Sequence, residues 1–349
     1  EDRRTVRPPG QWGERRWRRT VRCRLDPLPS LATKRRGCYM TSANFTTLDD
    51  ITYVKYDKFG NVEEQNIKTY TNEIATVLKE YKEVANTYKD DVSRKRGNAE
   101  TSTVSRWTDA TKTNDKWIDQ TVMTTTLFDS QGRAIDQTQD IKVFNGTLLE
   151  LAFHNVIKNL DYDNRGDAGE QHITSYKVVA GVNVLTDYKI MTNRTYDASH
   201  NIGNQMVITY SDSTSTTPLD VQEIRNIGMD STGMALTQVI VTYSDITKLN
   251  RIGVKVIDNS GFSGTTNTGV RVITNYSTVT FLGNDTTKAI TGYTGELDRQ
   301  TITVLTADNR GNATHQTVLS EGYVNSVWVF SGMQDIANDS IDIHDQTGH

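Results

Sequence analysis

One segment of this chain is written several times over. Tyr56-Asp-Lys-Phe-Gly60-Asn-Val-Glu-Glu-Gln65-Asn-Ile67-Lys-Thr-Tyr70 recurs, with nothing inserted, as Tyr162-Asp-Asn-Arg-Gly166-Asp-Ala-Gly-Glu-Gln171-His-Ile173-Thr-Ser-Tyr176. The register continues through Tyr196-Asp197 to Gln205, Val207 and Tyr210, then from Met229-Asp230 through Gly233 to Gln238, Ile240 and Tyr243. A repeat restricts a fold more than composition does, because each unit must bury its apolar face against a copy of itself.

Weaker copies follow when the closing aromatic is the anchor. Trp107, Phe144, Tyr276 and Tyr293 extend the series of Tyr70, Tyr176, Tyr210 and Tyr243, each with a β-branched aliphatic three residues earlier. Successive anchors lie 37, 37, 32, 34, 33, 33 and 17 residues apart. A last copy starts at Ala307-Asp308 and keeps Gln316 and Val318 but not the aromatic. About nine units therefore fill residues 40–330, and 331–349 is expected to be a flexible C-terminal segment of what reads as part of a longer array.

Each unit reads as strand, turn, strand. β-branched and aromatic residues precede the turn, as in Ile51 to Tyr56 and Ile190 to Tyr196, and such residues favour strands. The Asp-x-x-Gly-Asn segment supplies a glycine for positive φ and an Asp or Asn that bonds its own backbone. The expected fold is all-β: an array of stacked β-hairpin repeats, forming an extended, solenoid or shell-like sheet. On each second strand Gln and Ile/Val point to one face and the aromatic to the other. Ladders of Ile, of Gln and of Tyr should result, with a per-unit ligand contact as the alternative role for Gln. One stretch admits a short helix near 74–88: Ile74, Val77, Leu78, Tyr81, Val84, Ala85 and Tyr88 follow a helical stripe. The repeat register asks for a strand over its second half.

Charge divides the chain near residue 40. Residues 1–39 hold twelve basic side chains against four acidic ones, a net of +8, so a total of −4 leaves −12 for the rest. Both cysteines, Cys23 and Cys38, lie in the basic piece. That piece reads as a disordered tail, or as upstream DNA translated ahead of Met40, with a basic arm for phosphate-bearing partners as the alternative. The acidic body gives no nucleic-acid partner. No run of eighteen apolar residues occurs, so no membrane span is expected, and the apolar stretch of a secretory signal is missing.

Few side chains group in a way that chemistry would require. Asp161, Asp163 and Asp167, near His172, form the densest acidic cluster, but a calcium loop counted from Asp161 would need Glu where His172 stands. The histidines share no ligand spacing, and no nucleophile elbow, phosphate loop or dinucleotide fingerprint is present. No catalytic residue, cofactor or metal is assigned, and the chain does not read as an enzyme.

The Tyr-Asp-x-x-Gly-Asn/Asp turn units that close on a Thr/Ser-Tyr strand resemble the YD repeats of bacterial Rhs-type proteins over most of residues 50–323. That resemblance implies long β-sheets wound into shells or extended structures, within large secreted or cell-wall proteins, and carries over no catalytic residue. The unit here is longer than the family's, and its Gly-Arg-Leu after Tyr-Asp is missing. The expected function is a structural or interaction segment, extracellular or at the cell surface, whose partners are neighbouring repeats or other surface components. A carbohydrate- or cation-binding module and a shell element around a toxin or cargo are the alternatives.

Overall fold

The computed structural model describes residues 47–72, 74–230, 233–262, 268–308 and 312–338. The basic segment with Cys23 and Cys38, and the C-terminal residues from 339 on, lie outside the described residues. Among the described residues seventeen strands form one sheet. The first eight are β1 (Leu48–Tyr56), β2 (Val62–Tyr70), β3 (Leu78–Thr87), β4 (Thr101–Trp107), β5 (Trp117–Phe128), β6 (Ala134–Phe144), β7 (Leu149–Tyr162) and β8 (Ala168–Val179). β9 (Val182–Tyr196), β10 (Ile202–Tyr210), β11 (Asp220–Met229), β12 (Ala235–Tyr243) and β13 (Arg251–Ser260) follow. β14 (Gly269–Phe281), β15 (Ile290–Ala307), β16 (Ala313–Val324) and β17 (Val327–Ala337) complete the sheet.

Every strand pairs antiparallel with its neighbours in sequence. The hairpins lie side by side in one open meander, with β1 at one edge and β17 at the other. Odd-to-even connections carry the Asp-Gly turns, so those turns line one end of the sheet. β17 takes the sheet to Ala337, beyond the expected boundary at residue 330.

Local pairing explains the registers. On the face that holds the recurrent Gln, aliphatic side chains meet directly within units: Ile51 opposite Ile67, Val84 opposite Val104, Ile157 opposite Ile173, Ile224 opposite Ile240 and Ile257 opposite Ile273. A one-residue slip would turn each of these pairs to the other face, which is why the register holds. The closing aromatics lie on the opposite face. There Trp107 stands between Tyr81 and Trp117, Tyr176 faces His154, and Tyr210 faces Tyr188. Ring centroids are 4.2 Å apart for Trp107–Trp117 and 6.1 Å for Tyr188–Tyr210.

Two expectations change. The helical stripe does not form a helix: its second half is β3, paired on both sides with β2 and β4. Tyr81 packs on the aromatic face and Val84 against Val104, so two-sided ladder bonding overrides the local period. The α-helix of the described residues, α1 (Asp91–Arg96), comes afterwards, where other units have a tight turn; Asp90 caps it by accepting from Ser93 N. Tyr293 closes no second strand either. It lies on β15, beside Tyr276 with centroids 4.7 Å apart, within a hairpin that departs from the common plan.

Among the described residues that hairpin is the part that adds a second layer. The β14–β15 connection bends back over the aromatic face and reaches β9, β11 and the β12–β13 loop. Arg225 on β11 donates to Thr286 O (2.7 Å) and Lys288 O (3.1 Å), Lys248 to Thr286 Oγ1 (3.3 Å), and Asn193 on β9 to Thr287 O (3.3 Å). Beneath it Phe281 joins Ile208, Val221, Val239, Val241, Tyr243, Val254 and Val256 in the main apolar core. No helix among the described residues is long and apolar enough to cross a membrane.

Candidate functional site: laddered turns and the strapped face

The turn motif is built from one carboxylate. In the turn from Asp163, Oδ1 accepts from the backbone N of Arg165 (2.8 Å) and of Asp167 (2.9 Å), while Gly166 N donates to Asp163 O (3.1 Å). Asp57, Asp129 and Asp197 repeat this pattern, and Asp230 and Asp308 keep its i+4 contact. Gly60, Gly132, Gly166 and Gly233 hold the turn's fourth position at φ between 82° and 89°. His200 occupies it in the Asp197 turn, at φ 65°. Asp129 and Asp163 are held below the ordinary value of 3.8 first by the backbone N–H four residues on, and Asp197 first by the Asn201 side chain.

Neighbouring turns are also tied to each other. Arg165 Nη1 reaches Asp197 O (2.8 Å) and its Nη2 reaches Tyr196 O (3.2 Å), Arg133 Nη1 reaches Asp163 O (3.2 Å), and His200 Nδ1 meets Asp167 Oδ1 (2.6 Å). These contacts absorb two of the carboxylates that the sequence singles out around Gly166, while His172 meets Glu170 and Tyr188 instead. The carboxylate of Asp163 is committed to its own turn and Asp167 to His200 and Arg165. Among the described residues no three His, Cys, Asp or Glu side chains converge on a metal position.

The opposite end has its own device, which the sequence reading missed. Asp109, Asp212, Asp245 and Asp285 each accept from both the backbone N and the hydroxyl of a Thr two residues on, namely Thr111, Thr214, Thr247 and Thr287. The threonine hydroxyl is the first cause holding each of these four carboxyls below 3.8. The signal was there as Asp-x-Thr, recurring in linkers that otherwise read as merely polar.

Between the ends, the recurrent Gln has a partner that the reading also missed. Glutamines on second strands are two strand spacings apart, about 9–10 Å, so they cannot bond one another as a Gln ladder would require. An Asn on the intervening strand does it instead. Gln171 Nε2 donates to Asn159 Oδ1 (2.7 Å), Gln238 Nε2 to Asn226 Oδ1 (2.8 Å), and Arg271 Nε to Asn259 Oδ1 (3.0 Å). The same asparagines donate backwards to Ala134 O (3.2 Å), Ile202 O (2.9 Å) and Ala235 O (3.0 Å). Three strands are joined by each relay. Counted from the turn Asp, Gln stands eight residues on in all six Asp turns, at Gln65, Gln137, Gln171, Gln205, Gln238 and Gln316. In the Asp129 unit this is Gln137, which donates to Thr125 Oγ1 (3.1 Å). Gln137 stands seven residues before Phe144, whereas Gln65, Gln171, Gln205 and Gln238 stand five before their closing aromatics. Gln205 lies at a register shift between β9 and β10, and its Oε1 is buried without a hydrogen bond.

The closing aromatics are covered to different degrees. Trp107 and Tyr243 are buried; Tyr70, Phe144, Tyr176, Tyr210, Tyr276 and Tyr293 are half-buried, as is Tyr162, while Tyr56 is exposed. The most enclosed charge lies under the strapping hairpin. Glu223 is 0% exposed and pairs with Arg225 (2.9 Å) and with Lys248. Arg225 also donates to Lys288 O and Thr286 O of the strap, so the cluster fastens two layers around a buried, ion-paired carboxylate whose Oε2 accepts no hydrogen bond.

No protein-family model matches this sequence, and a search of curated proteins finds no match.

Proposed function

We propose that the chain is a structural and interaction segment of a large bacterial secreted or cell-surface protein, working by reach and display without catalysis. The observation that carries this reading is where the recurrent polar side chains end. The turn carboxylates, the arginines of the turns and the Gln–Asn relays bond to their own turn or to the next strand. A side chain repeated once per unit and spent on its neighbour serves the array. The resemblance to YD repeats supports a surface setting. Sixteen strand spacings of about 4.8 Å give a path of roughly 75–80 Å across the hydrogen bonds, a long platform for a chain of this size.

The test is exposure on the intact organism. An epitope-tagged chain produced in its native host should be digested when whole cells are treated with protease. Protection on whole cells, with digestion only after lysis, overturns the surface reading.

A further inference from the structure

The two outer strands treat their free sides differently. β1 carries Asp49, Asp50 and Lys55, and its register against β2 shifts twice. Charge and irregularity of this kind keep edge strands from adding partners. β17 has 11 residues with Asp335 as its one charge, no proline, and Phe330 and Met333 exposed at 65% and 63%. Among the described residues it is hydrogen-bonded on one side, to β16.

What fits that side is written in the strand. Inside the sheet, first strands present Ile-x-Asn to the strand that follows, which answers with Gln-x-Ile: Ile224 stands opposite Ile240 while Asn226 stands opposite Gln238. Asn338 completes the same Ile-x-Asn on β17, because its Nδ2 donates to Ala313 O (2.9 Å) as Asn226 donates to Ile202 O (2.9 Å). β17 also carries the answering half. Gln334-Asp-Ile336-Ala-Asn338 contains Gln-x-Ile and Ile-x-Asn overlapped on one isoleucine. Read antiparallel against itself about Ile336, it sets Asn338 opposite Gln334, Ile336 opposite Ile336 and Gln334 opposite Asn338.

Backbone directions agree. Asn338 N donates to Thr314 O, toward β16. Alternation then points Asp335 and Ala337 to the free side as the bonded pair and leaves Ile336 at the close, non-bonded position.

We propose that the free side of β17 is a self-complementary dimerisation edge, where a second copy of this chain adds its own β17 about a two-fold axis at Ile336. The interface is isologous, and it joins two sheets into one with the Gln–Asn relay running through the junction. It builds on the array reading only for the pairing rule. A failed surface-display test leaves the dimer assay intact, and a monomer leaves surface display intact.

The test uses the full chain carrying Cys23→Ser and Cys38→Ser. Sedimentation should show a reversible dimer, and Gln334→Ala or Asn338→Ala should weaken it by about tenfold or more, since each removes two symmetry-related hydrogen bonds. Ile336→Cys should cross-link rapidly under mild oxidant, because non-bonded antiparallel pairs bring Cα atoms to about 4.5 Å, within disulfide range. Ser331→Cys serves as the control for random collision. Dimerisation with preferential cross-linking at Ile336→Cys supports the proposal. A monomer at all accessible concentrations, a dimer indifferent to both alanine changes, or equal cross-linking at the two positions overturns it.

Discussion

At the scale of single residues, backbone conformation and carboxylate pairing decide most of what can be measured. Gly60 and Gly132 hold equivalent turn positions at φ 87° and 82°. An added Cβ at Gly60 meets nothing within 4 Å, whereas at Gly132 it lies 2.8 Å from Asn98 Oδ1. Gly60→Ala should therefore cost about 1–2 kcal/mol, the left-handed penalty alone. Gly132→Ala should cost more, because Asn98 must also move, and urea titration of the two variants will separate turn strain from contact between turns. Acid acts on the same turns. Eight turn aspartates have folded-state pKa values below 3.8. A depressed carboxyl stabilises the fold above its unfolded value and loses that contribution as pH falls through its folded value. The urea midpoint should hold from neutral pH to about 4 and then fall steeply toward about pH 2. A midpoint that stayed flat across that range would mean that the turn carboxylates are not coupled to folding.

At the scale of elements, the three-strand relay and the strap are the parts to perturb. Asn226→Ala removes a donor to β10 and an acceptor for β12, and should destabilise by about 1–3 kcal/mol. The double variant with Gln238→Ala should cost clearly less than the sum of the singles, the mark of a shared network. Arg225→Ala should cost about 3–5 kcal/mol, since it strips one partner from the fully buried Glu223. It also frees the carbonyls of Thr286 and Lys288. Amide exchange should then accelerate over Leu282–Asn284 and its flanks before the rest of the sheet. Uniform acceleration throughout would show that strap and sheet unfold as one unit.

At the scale of the whole molecule, the repeat itself is the variable. Deleting residues 163–196 joins Tyr162 to Asp197, which restores the Tyr-Asp junction and removes β8 and β9 together. Nearest-neighbour stacking predicts a folded, cooperative protein with a smaller denaturant dependence, in proportion to the surface lost. A chain that fails to fold after this excision would show that long-range contacts, and not neighbouring units, hold the sheet.

The all-β hairpin array was legible before any coordinates, because a turn that needs a left-handed residue and a carboxylate can be recognised from Asp and Gly at fixed spacing, and alternation fixes which side chains share a face. The turn at Asp163, the Gln171 position and the pairing of Ile157 with Ile173 all follow from such local rules. Other features depended on which strands become neighbours. Asn159 and Asn226 gain their meaning only when a particular strand lies between two glutamines. The helical stripe around Tyr81 gave way to β3 because bonding on both sides outweighs a local period. The fold-back of Phe281 and the burial of Glu223 join residues some sixty positions apart, by contacts that no periodicity in the chain encodes. Sequence settled the unit and its turns, which are short-range chemistry; the tertiary structure alone decided which face is covered and which edge is left open, because both follow from how units meet.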